Sequence, residues 1–179
     1  MAPAGTLRII DCVPEVHSDP ILEILNEAIR NSTALYEYAT RTRESMARWF
    51  DTKQHGKFPV LVAVDPSDTL VGFASYGTFR ERPAYKYSVE HSVYVHVEHR
   101  ARGVGSLLMQ ALIARATVQQ YHVMVGGIDG SNRASIAFHE KLGFVHSGTV
   151  REAGFKFGRW LDLALYQLIL PTPEQPSEA

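Results

Sequence analysis

A short loop with two closely spaced glycines is the part of this sequence best suited to binding an anion. It reads Arg100-Ala-Arg-Gly103-Val-Gly105 and lies between an alternating run, which predicts a strand, and an apolar pattern, which predicts a helix. Backbone N–H groups at a helix N-terminus bind phosphate oxygens, and glycine lets the ligand approach the backbone closely. Arg100 and Arg102 add positive charge beside the loop. The spacing therefore predicts a phosphate-binding turn.

The sequence of this turn can be compared with known phosphate-binding motifs. A P-loop requires Gly-Lys-Ser/Thr, but Ser106 follows Gly105 with no lysine between them, which excludes it. A dinucleotide site requires a third glycine where Leu108 stands, although Asp129 lies near the place of a ribose-binding acid. That interpretation stays open but disfavoured, because only one strand-helix-strand unit surrounds the turn. A coenzyme A pyrophosphate and a glycine-rich turn without ligand are the other interpretations.

The strand before the turn has two chemically different faces. Its odd positions from Val89 to Val97 are four valines and His91, whereas its even positions are Glu90, Ser92, Tyr94 and His96. Strict alternation of this kind is typical of a strand whose successive side chains point to opposite faces. The carboxylate of Glu90 therefore lies on the strand that leads into the turn.

The remaining elements can be predicted in outline. We expect a strand at Leu7–Ile10, a helix capped by Ser18 or Asp19 with Pro20 in its first turn, and a second helix over 43–54 capped by Thr42 alone. A β-hairpin over 60–64 and 70–76 follows. After the turn come a helix, a strand over 121–125 ended by Gly126-Gly127, a helix from 129–132 to Leu142 with Gly143 beyond it, and two strands over 144–149 and 160–170. The order β-α-α-β-β-β-α-β-α-β-β predicts one α/β domain, a mixed sheet with helices on its faces.

Composition narrows the function classes. The chain has 179 residues, 45% of them hydrophobic, and a formal net charge of -1, which fits one domain with a real core and argues against a dedicated nucleic-acid or polybasic membrane binder. The single cysteine, Cys12, cannot close an intramolecular disulfide or build a thiolate zinc site, and is expected to be a small buried residue. No apolar run reaches the length of a membrane helix, and the opening Met-Ala-Pro-Ala-Gly predicts no signal peptide. We expect a soluble, cytoplasmic protein with one domain over residues 5–170 and a disordered tail over 171–179.

The turn and three further blocks, taken in order, resemble one protein family. The turn is similar to the Gln/Arg-x-x-Gly-x-Gly/Ala pyrophosphate loop of the GNAT acetyltransferases. The three blocks are 89–95, 139–144 and 153–160, which read VEHSVYV, HEKLGF and AGFKFGRW. They resemble the phosphinothricin and methionine-sulfone N-acetyltransferase group within that family. The resemblance covers nearly the whole chain and implies a GNAT-like, mostly antiparallel mixed sheet flanked by about four helices.

The resemblance also implies a cofactor site for acetyl-CoA. The strand residues Val93, Tyr94 and Val95 match the segment whose backbone pairs with the pantetheine arm, and a backbone N–H near Tyr94 would hold the oxyanion. The turn from Ala101 to Ser106, with Arg100, matches the pyrophosphate site. Asn132 matches an asparagine at the far side of the cofactor, and Ser135 faces the same way one turn later. The cofactor-binding residues thus predicted are Val93, Tyr94, Val95, Arg100, Ala101, Arg102, Gly103, Val104, Gly105, Ser106, Asn132 and Ser135.

Acetyl transfer to an amine needs a base, because amines are mostly protonated near neutral pH. Glu90 matches the catalytic glutamate proposed for the group, although a solvated strand glutamate is its plain structural interpretation. His139 stands where many family members carry a tyrosine, and imidazole suits proton transfer. Its alternative is a packed, hydrogen-bonded residue between Phe138 and Leu142. No histidine spacing indicates a metal, so no metal site is predicted.

The acceptor is expected to be small and acidic. The loop over 79–87 carries Arg80 and Arg82, which could clamp a carboxylate or phosphinate, and Tyr85 among the aromatics that could wall a side-chain pocket. Arg80 fits the group's position for the substrate acid group; for Arg82 a solvated surface role is equally open. The Phe155–Trp160 turn is a second candidate wall, which in the related group also helps to build a two-fold dimer. Its alternative is a plain hairpin with Trp160 in the core.

These observations predict an acetyl-CoA-dependent N-acetyltransferase that acts by direct transfer on the α-amine of a small amino acid or analogue. A homodimer with no nucleic-acid or membrane partner is expected. The alternatives are a GNAT enzyme for another amine, such as a polyamine, peptide N-terminus or aminoglycoside, and a non-catalytic acetyl-CoA-binding module.

Overall fold

The structure, a computed structural model, describes residues 6–178 and contains one seven-stranded sheet. The strands are β1 (Arg8–Asp11), β2 (Val60–Val64), β3 (Leu70–Thr78), β4 (Ser88–Val95), β5 (Val123–Asp129), β6 (Val145–Lys156) and β7 (Arg159–Ile169). The helices are α1 (Pro14–Asn31), α2 (Arg43–His55), α3 (Val104–Val118) and α4 (Arg133–Lys141). Single 3-10 turns cover Pro83–Tyr85 and Val97–His99. The element order and the mixed α/β class are as predicted.

The sheet has the order β1-β2-β3-β4-β5-β7-β6, and β4–β5 is its one parallel pair in the described chain. That pair is short. It runs from Ser88 opposite Val123 to Glu90 opposite Val125 and then ends, although both strands continue. Beyond Glu90, one edge of β4 therefore has no strand partner, which opens a cleft in the middle of the sheet.

Apolar side chains bury both faces of the sheet. The α1 stripe predicted from the helical period is at most 3% exposed and packs with Met46 of α2 against β2 and β3; it consists of Ile21, Ile24, Leu25, Ala28 and Ile29. On the other face, α3 buries Leu108, Met109 and Leu112 completely. Burial of one such side chain contributes about 1.5–3 kcal/mol, so these two layers hold the cleft between rigid walls.

The predicted start of α1 was wrong, whereas α2 begins at Arg43 after Thr42 as predicted and only its cap was described incompletely. Helix α1 begins at Pro14, not at Ser18 or Asp19, and Pro20 lies inside it. Pro14 is favoured there because the first helical N–H lacks an intrahelical partner anyway, and the backbone N–H of Val13 donates to Nδ1 of His17. Thr42 does not cap α2 alone: the Ser45 hydroxyl accepts from the Thr42 N–H and completes a capping box. The prediction had required glutamate or glutamine, but serine can also reach the backbone.

Strand β5 does not end at Gly126-Gly127 as predicted but runs through both to Asp129. The glycines are needed there for close approach. A Cβ on Gly126 would come within 2.7 Å of the His91 ring, and one on Gly127 within 3.1 Å of the Leu163 side chain. The pair therefore marks crowding from both faces of the sheet rather than a turn.

The chain ends lie partly outside this description. Residues 1–5, and with them the predicted domain start at residue 5 and the segment examined for a signal peptide, lie outside the described residues, as does residue 179. Residues 171–178 contain no helix or strand, but Thr172 hydrogen-bonds to the Tyr121 carbonyl and Ser177 to the Tyr87 hydroxyl. The disorder predicted for 171–179 stays a prediction. None of the helices within residues 6–178 has the length and apolar character needed to cross a bilayer.

Candidate active site

The glycine turn forms one wall of a cavity of about 470 Å³ beside the open edge of β4. Gly103 caps α3 with φ of +81°, in the left-handed region, and a Cβ there would meet nothing within 4 Å. Glycine is therefore required by the backbone conformation and not by crowding. The first N–H groups of α3 have no intrahelical acceptor and can bind an anion.

The cavity contains most of the residues predicted to hold the cofactor. They are Val93, Val95, Arg100, Ala101, Gly103, Val104, Gly105, Ser106 and Ser135. The sequence analysis missed three others that line it, namely His99, Phe138 and Lys141. Phe138 and Lys141 follow Ser135 at intervals of three along α4, so helical spacing could have identified them.

Three predicted cofactor residues lie outside this cavity, and Arg100, which lines it, is held by other groups of the protein. Arg100 is tied down, because its guanidinium bonds to Glu27 at 2.6 Å and its Nε donates to the Val95 carbonyl at 3.1 Å. Arg102 is exposed and does not line the cavity. Tyr94 and Asn132 line a neighbouring cavity instead, and the Asn132 side chain caps α4 by accepting from the Ser135 N–H.

Backbone geometry shows which groups of β4 face the cleft. The His96 N–H donates to the Val71 carbonyl, and Val95 stands opposite Gly72 in the register. In an antiparallel pair, hydrogen-bonded and non-bonded positions alternate. The Tyr94 N–H therefore points towards β3, whereas the N–H groups of Val93 and Val95 point to the open edge. An oxyanion or pantetheine contact from this strand would come from the two valines.

A second cavity of about 250 Å³ adjoins the first, since Val93 and Ser135 line both. The candidate base Glu90 and the candidate proton carrier His139 both line this second cavity. Although Glu90 is exposed along part of its surface, burial raises the pKa of its carboxyl, and the positive charge of Arg80 partly opposes that rise. A carboxylate with a raised pKa is a better proton acceptor, as a general base requires.

The imidazole of His139 is 4% exposed and stacks on that of His91, with 5.1 Å between the ring centroids. Nδ1 of His139 lies 2.7 Å from the Ser135 carbonyl and, in the neutral ring, donates to it. Nε2 of His139 and both ring nitrogens of His91 are buried without a hydrogen-bond partner. Burial lowers the pKa of His139, and burial together with His139 lowers the pKa of His91 to about 3. Both rings are therefore neutral near pH 7, and Nε2 of His139 is free to accept a proton.

The outer wall of the second cavity comes from the α1–α2 loop (residues 32–42) and the start of the β5–α4 connection. Thr33, Ala34, Leu35 and Tyr36 line it, facing Asp129 and Leu163. Asp129 is 4% exposed; burial would raise its pKa, but hydrogen bonds from Thr33, Ser131 and Arg159 outweigh burial and lower it. The sequence analysis missed this wall. No local pattern indicates it, because the loop is brought there by tertiary contacts alone.

The predicted acceptor residues lie elsewhere. Arg80, Arg82 and Tyr85 line a separate cavity of about 290 Å³ together with Phe58 and Tyr121. Arg80 influences the second cavity only electrostatically, because its positive charge opposes the rise in the pKa of Glu90. Its guanidinium lies 5.3 Å from the centre of the Phe79 ring. Arg82 and Tyr85 therefore do not line the second cavity of this chain.

The Phe155–Trp160 turn is the connection between β6 and β7, and it carries exposed aromatic side chains. Trp160 is 60% exposed and stacks edge-on against Phe155, so the expected core contact of Trp160 was wrong. A further cavity of about 730 Å³ lies on this hairpin and is lined in part by Trp160, Arg159 and Asp129. Within residues 6–178, no group of histidine, cysteine, aspartate and glutamate side chains could hold a metal.

Comparison with known proteins shows which family has this sequence and this fold. The model of the acetyltransferase (GNAT) family matches residues 22–144. An L-methionine sulfoximine/L-methionine sulfone acetyltransferase of Pseudomonas aeruginosa is 45% identical over 87% of this chain and 91% of its own. An L-amino acid N-acyltransferase of Escherichia coli is 38% identical over 87% and 90%. The crystal structure of a GNAT superfamily phosphinothricin acetyltransferase from Sinorhizobium meliloti, in complex with acetyl-CoA, superposes with a TM-score of 0.86 at 36% identity, covering 93% of this chain and 89% of the other.

Proposed function

This chain belongs to the GNAT family of N-acetyltransferases, and from that premise we propose that it acetylates the α-amine of a small amino acid or analogue, of the methionine sulfone, methionine sulfoximine or phosphinothricin type. The observation that carries the proposal is the junction of the two cavities. Of these two adjoining cavities, the larger (about 470 Å³) has the glycine turn in its wall and the smaller (about 250 Å³) holds Glu90 and His139. Val93 and Ser135 line both.

The larger cavity fits acetyl-CoA. The free N–H groups at the start of α3 and the left-handed Gly103 suit a pyrophosphate, and the unpaired edge at Val93 and Val95 suits the amide groups of a pantetheine arm. When bound, acetyl-CoA supplies an acetyl thioester, whose carbonyl carbon bonds to the amine nitrogen as its bond to sulfur breaks. The Val93 and Val95 N–H groups are the donors on β4 that face the place where negative charge would develop on the carbonyl oxygen.

Glu90 is proposed to take the proton from the acceptor ammonium, directly or through one water, so that the nitrogen becomes a nucleophile. Its raised pKa brings its basicity closer to that of the amine. Glu90 must be ionised to act, so the rate is expected to fall as the pH drops through this raised pKa. As the amide forms, the nitrogen loses a second proton. His139 is proposed to accept it at Nε2, since its Nδ1–H is bonded to the Ser135 carbonyl, and to pass it to the departing thiolate, which leaves as the free thiol of coenzyme A.

The transfer is proposed to be direct. Cys12 lies away from the two cavities and lines a different one with Phe50 and Lys53. Burial, with a smaller effect from the negative charge of Glu15, raises the pKa of the Cys12 thiol to about 12. A thiol of that kind is almost entirely protonated at neutral pH and is a poor nucleophile.

The charges around the smaller cavity suit an ammonium group. Its ionised lining residues in the described chain are the carboxylates Glu90 and Asp129, and no lysine or arginine lines it. The acid group of an amino acid therefore needs a cation from outside the lining. Arg80, whose positive charge already reaches Glu90, is the proposed partner.

A homodimer is also proposed, as the resemblance predicts. Support comes from the exposed aromatic side chains on the β6–β7 hairpin, where Phe155, Phe157 and Trp160 are 46%, 59% and 60% exposed. Clusters of exposed aromatics are typical of protein–protein interfaces. Sedimentation of the purified protein tests this directly: a dimer is expected, and a monomer at micromolar concentration would contradict it.

The function is tested by thiol release from acetyl-CoA against a panel of acceptors. Methionine sulfone, methionine sulfoximine and phosphinothricin are expected to give turnover with the wild type, and Glu90→Gln should turn them over about a hundredfold more slowly. Selective turnover with polyamines, peptide N-termini or aminoglycosides would replace the proposed acceptor class. Binding of acetyl-CoA with no thiol release from any acceptor would show a non-catalytic module.

A further inference from the structure

Lys156, the last residue of β6, is a buried cation that the catalytic proposal does not use. It is 4% exposed, and its ammonium donates three hydrogen bonds, to the carbonyls of Ile29, Ser32 and Leu35 at 2.8, 2.8 and 2.7 Å. Three protons and three acceptors match, so the ammonium is fully satisfied without a carboxylate contact. A buried charge is retained only where such compensation is complete.

The three carbonyls belong to one structural feature, the end of α1 and the loop that follows. The last carbonyls of a helix have no intrahelical partner, and the helix dipole favours a positive charge there. Lys156 supplies both a donor and a charge at the end of α1. Leu35, by contrast, lies four residues beyond the helix, so the same ammonium also fixes the course of the α1–α2 loop.

Further contacts join this loop to the β6–β7 hairpin. The Tyr38 hydroxyl donates to the Phe155 carbonyl at 2.6 Å, and the Tyr36 ring lies where a Cβ on Gly154 would come within 2.6 Å of it. Tyr36 also donates to the Asp162 carbonyl at 3.3 Å. The loop therefore rests on the hairpin along its length, and Lys156 is the charged centre of the contact.

The same loop forms the outer wall of the smaller cavity. Leu35 provides both a carbonyl for Lys156 and a lining side chain, and Tyr36, its neighbour, lines the cavity as well. Lys156 does not line either the smaller or the larger cavity. A shift of the loop would change the width of the acceptor cavity, whereas no residue of the loop lines the cavity proposed for acetyl-CoA.

We propose that Lys156 is a positioning residue for the acceptor: by holding the α1–α2 loop against the β6–β7 hairpin, it fixes the wall of the acceptor cavity. The expected effect of Lys156 on acceptor binding rests on the proposed function. The anchoring of residues 32–38 by the ammonium is independent of any activity.

The test compares Lys156→Met, which keeps the length but donates no hydrogen bond, with Lys156→Arg, which keeps charge and donors. In Lys156→Met, the KM for methionine sulfone is expected to rise at least about tenfold, since a misplacement of about 1 Å in a site can cost a hundredfold. The Kd for acetyl-CoA should stay within about twofold, and Lys156→Arg should fall between Lys156→Met and the wild type. Amide exchange of residues 32–38 should speed up in Lys156→Met with or without substrate.

Lys53→Met is the matched control, because Lys53 is a half-buried lysine that also donates to a backbone carbonyl, that of Tyr76, but lies on α2. It should lose stability without a specific change in acceptor KM or in exchange at 32–38. Tyr38→Phe is a milder variant, removing one hydroxyl from the same contact, and should shift both readouts in the same direction as Lys156→Met. It keeps the test decisive if Lys156→Met does not fold.

The outcomes separate the two proposals. If the wild type acetylates none of the amino acids, the proposed function is wrong, and exchange at residues 32–38 still decides the anchoring. Unchanged exchange in both Lys156→Met and Tyr38→Phe would overturn the anchoring. Faster exchange with acceptor and acetyl-CoA affinities weakened equally would overturn the role of Lys156 in positioning the acceptor.

Discussion

Replacing Gly126 with alanine is expected to perturb the His91–His139 pair although neither histidine is itself replaced. The new Cβ would lie 2.7 Å from Nε2 of His91, whereas ordinary contact begins at 3.4 Å, so the ring must move by about 0.7 Å. His91 is boxed in by Phe144, at 5.2 Å between centroids, and by His139, at 5.1 Å. The displacement is therefore transmitted to His139, which the Cβ itself would approach to 3.4 Å.

The cost can be estimated from two opposing effects. Overpacking a dense interior costs about 1–3 kcal/mol. Removing a strand glycine returns about 0.5–1 kcal/mol of backbone entropy. The free energy of unfolding is thus expected to fall by about 0.5–2 kcal/mol, which lowers Tm by about 1–8 °C for a chain of this size. A displaced His139 should lower kcat by about ten- to a hundredfold.

Chemical denaturation and thiol-release kinetics measure these effects side by side. Gly77→Ala in β3, two strands away, is the matched control, because its Cβ would meet only the flexible end of Lys53, at 3.3 Å. It should leave stability and kcat nearly unchanged. His91→Ala should relieve the clash, so it should cost less in the Gly126→Ala background than in the wild type. Unchanged stability in Gly126→Ala would refute the packing argument, and lowered stability with wild-type kcat would refute a role for His139 in turnover.

Two further predictions concern charges. Glu90→Gln should reduce kcat/KM by about a hundredfold or more, and the loss of rate at acid pH, which reflects protonation of a carboxyl whose pKa is raised by burial, should disappear from its pH profile. A retained acid limb would assign it to another group. Arg80→Ala should raise the KM for the acceptor far more than that for acetyl-CoA, and equal changes in steady-state kinetics would remove Arg80 from the acceptor site.

The sequence was most informative where local patterns reflect local physics. The α1 stripe, the strand alternation at Val89–Val95 and the left-handed Gly143 beyond α4 each follow from the periodicity or backbone freedom of a few neighbouring residues, and each appears as predicted. Errors occurred where distant parts of the chain decide, as at Gly126, which looks like a strand end but accommodates a histidine from β4.

The wall of the smaller cavity could not be predicted from the sequence for the same reason. Thr33 and Tyr36 stand in an irregular loop with no periodic signal, and only Asp129 and the β6–β7 hairpin place them beside Glu90. Lys156 likewise appears in the sequence as one lysine in a turn, because its three acceptors lie more than a hundred positions earlier in the chain. Conversely, the basic loop at Arg80 and Arg82 is conspicuous in sequence but lines a different cavity of this chain.

The most direct test of the central claim identifies the acetylated atom. Methionine sulfone is incubated with acetyl-CoA labelled with ¹³C in its acetyl group, and the product is analysed by NMR and mass spectrometry. We predict one acetyl group on the α-nitrogen, formed in equal amount to the released thiol and about a hundredfold more slowly with Glu90→Gln. Thiol release without an α-N-acetyl product, or labelled acetyl on the protein in place of the amino acid, would contradict direct transfer to an amino acid.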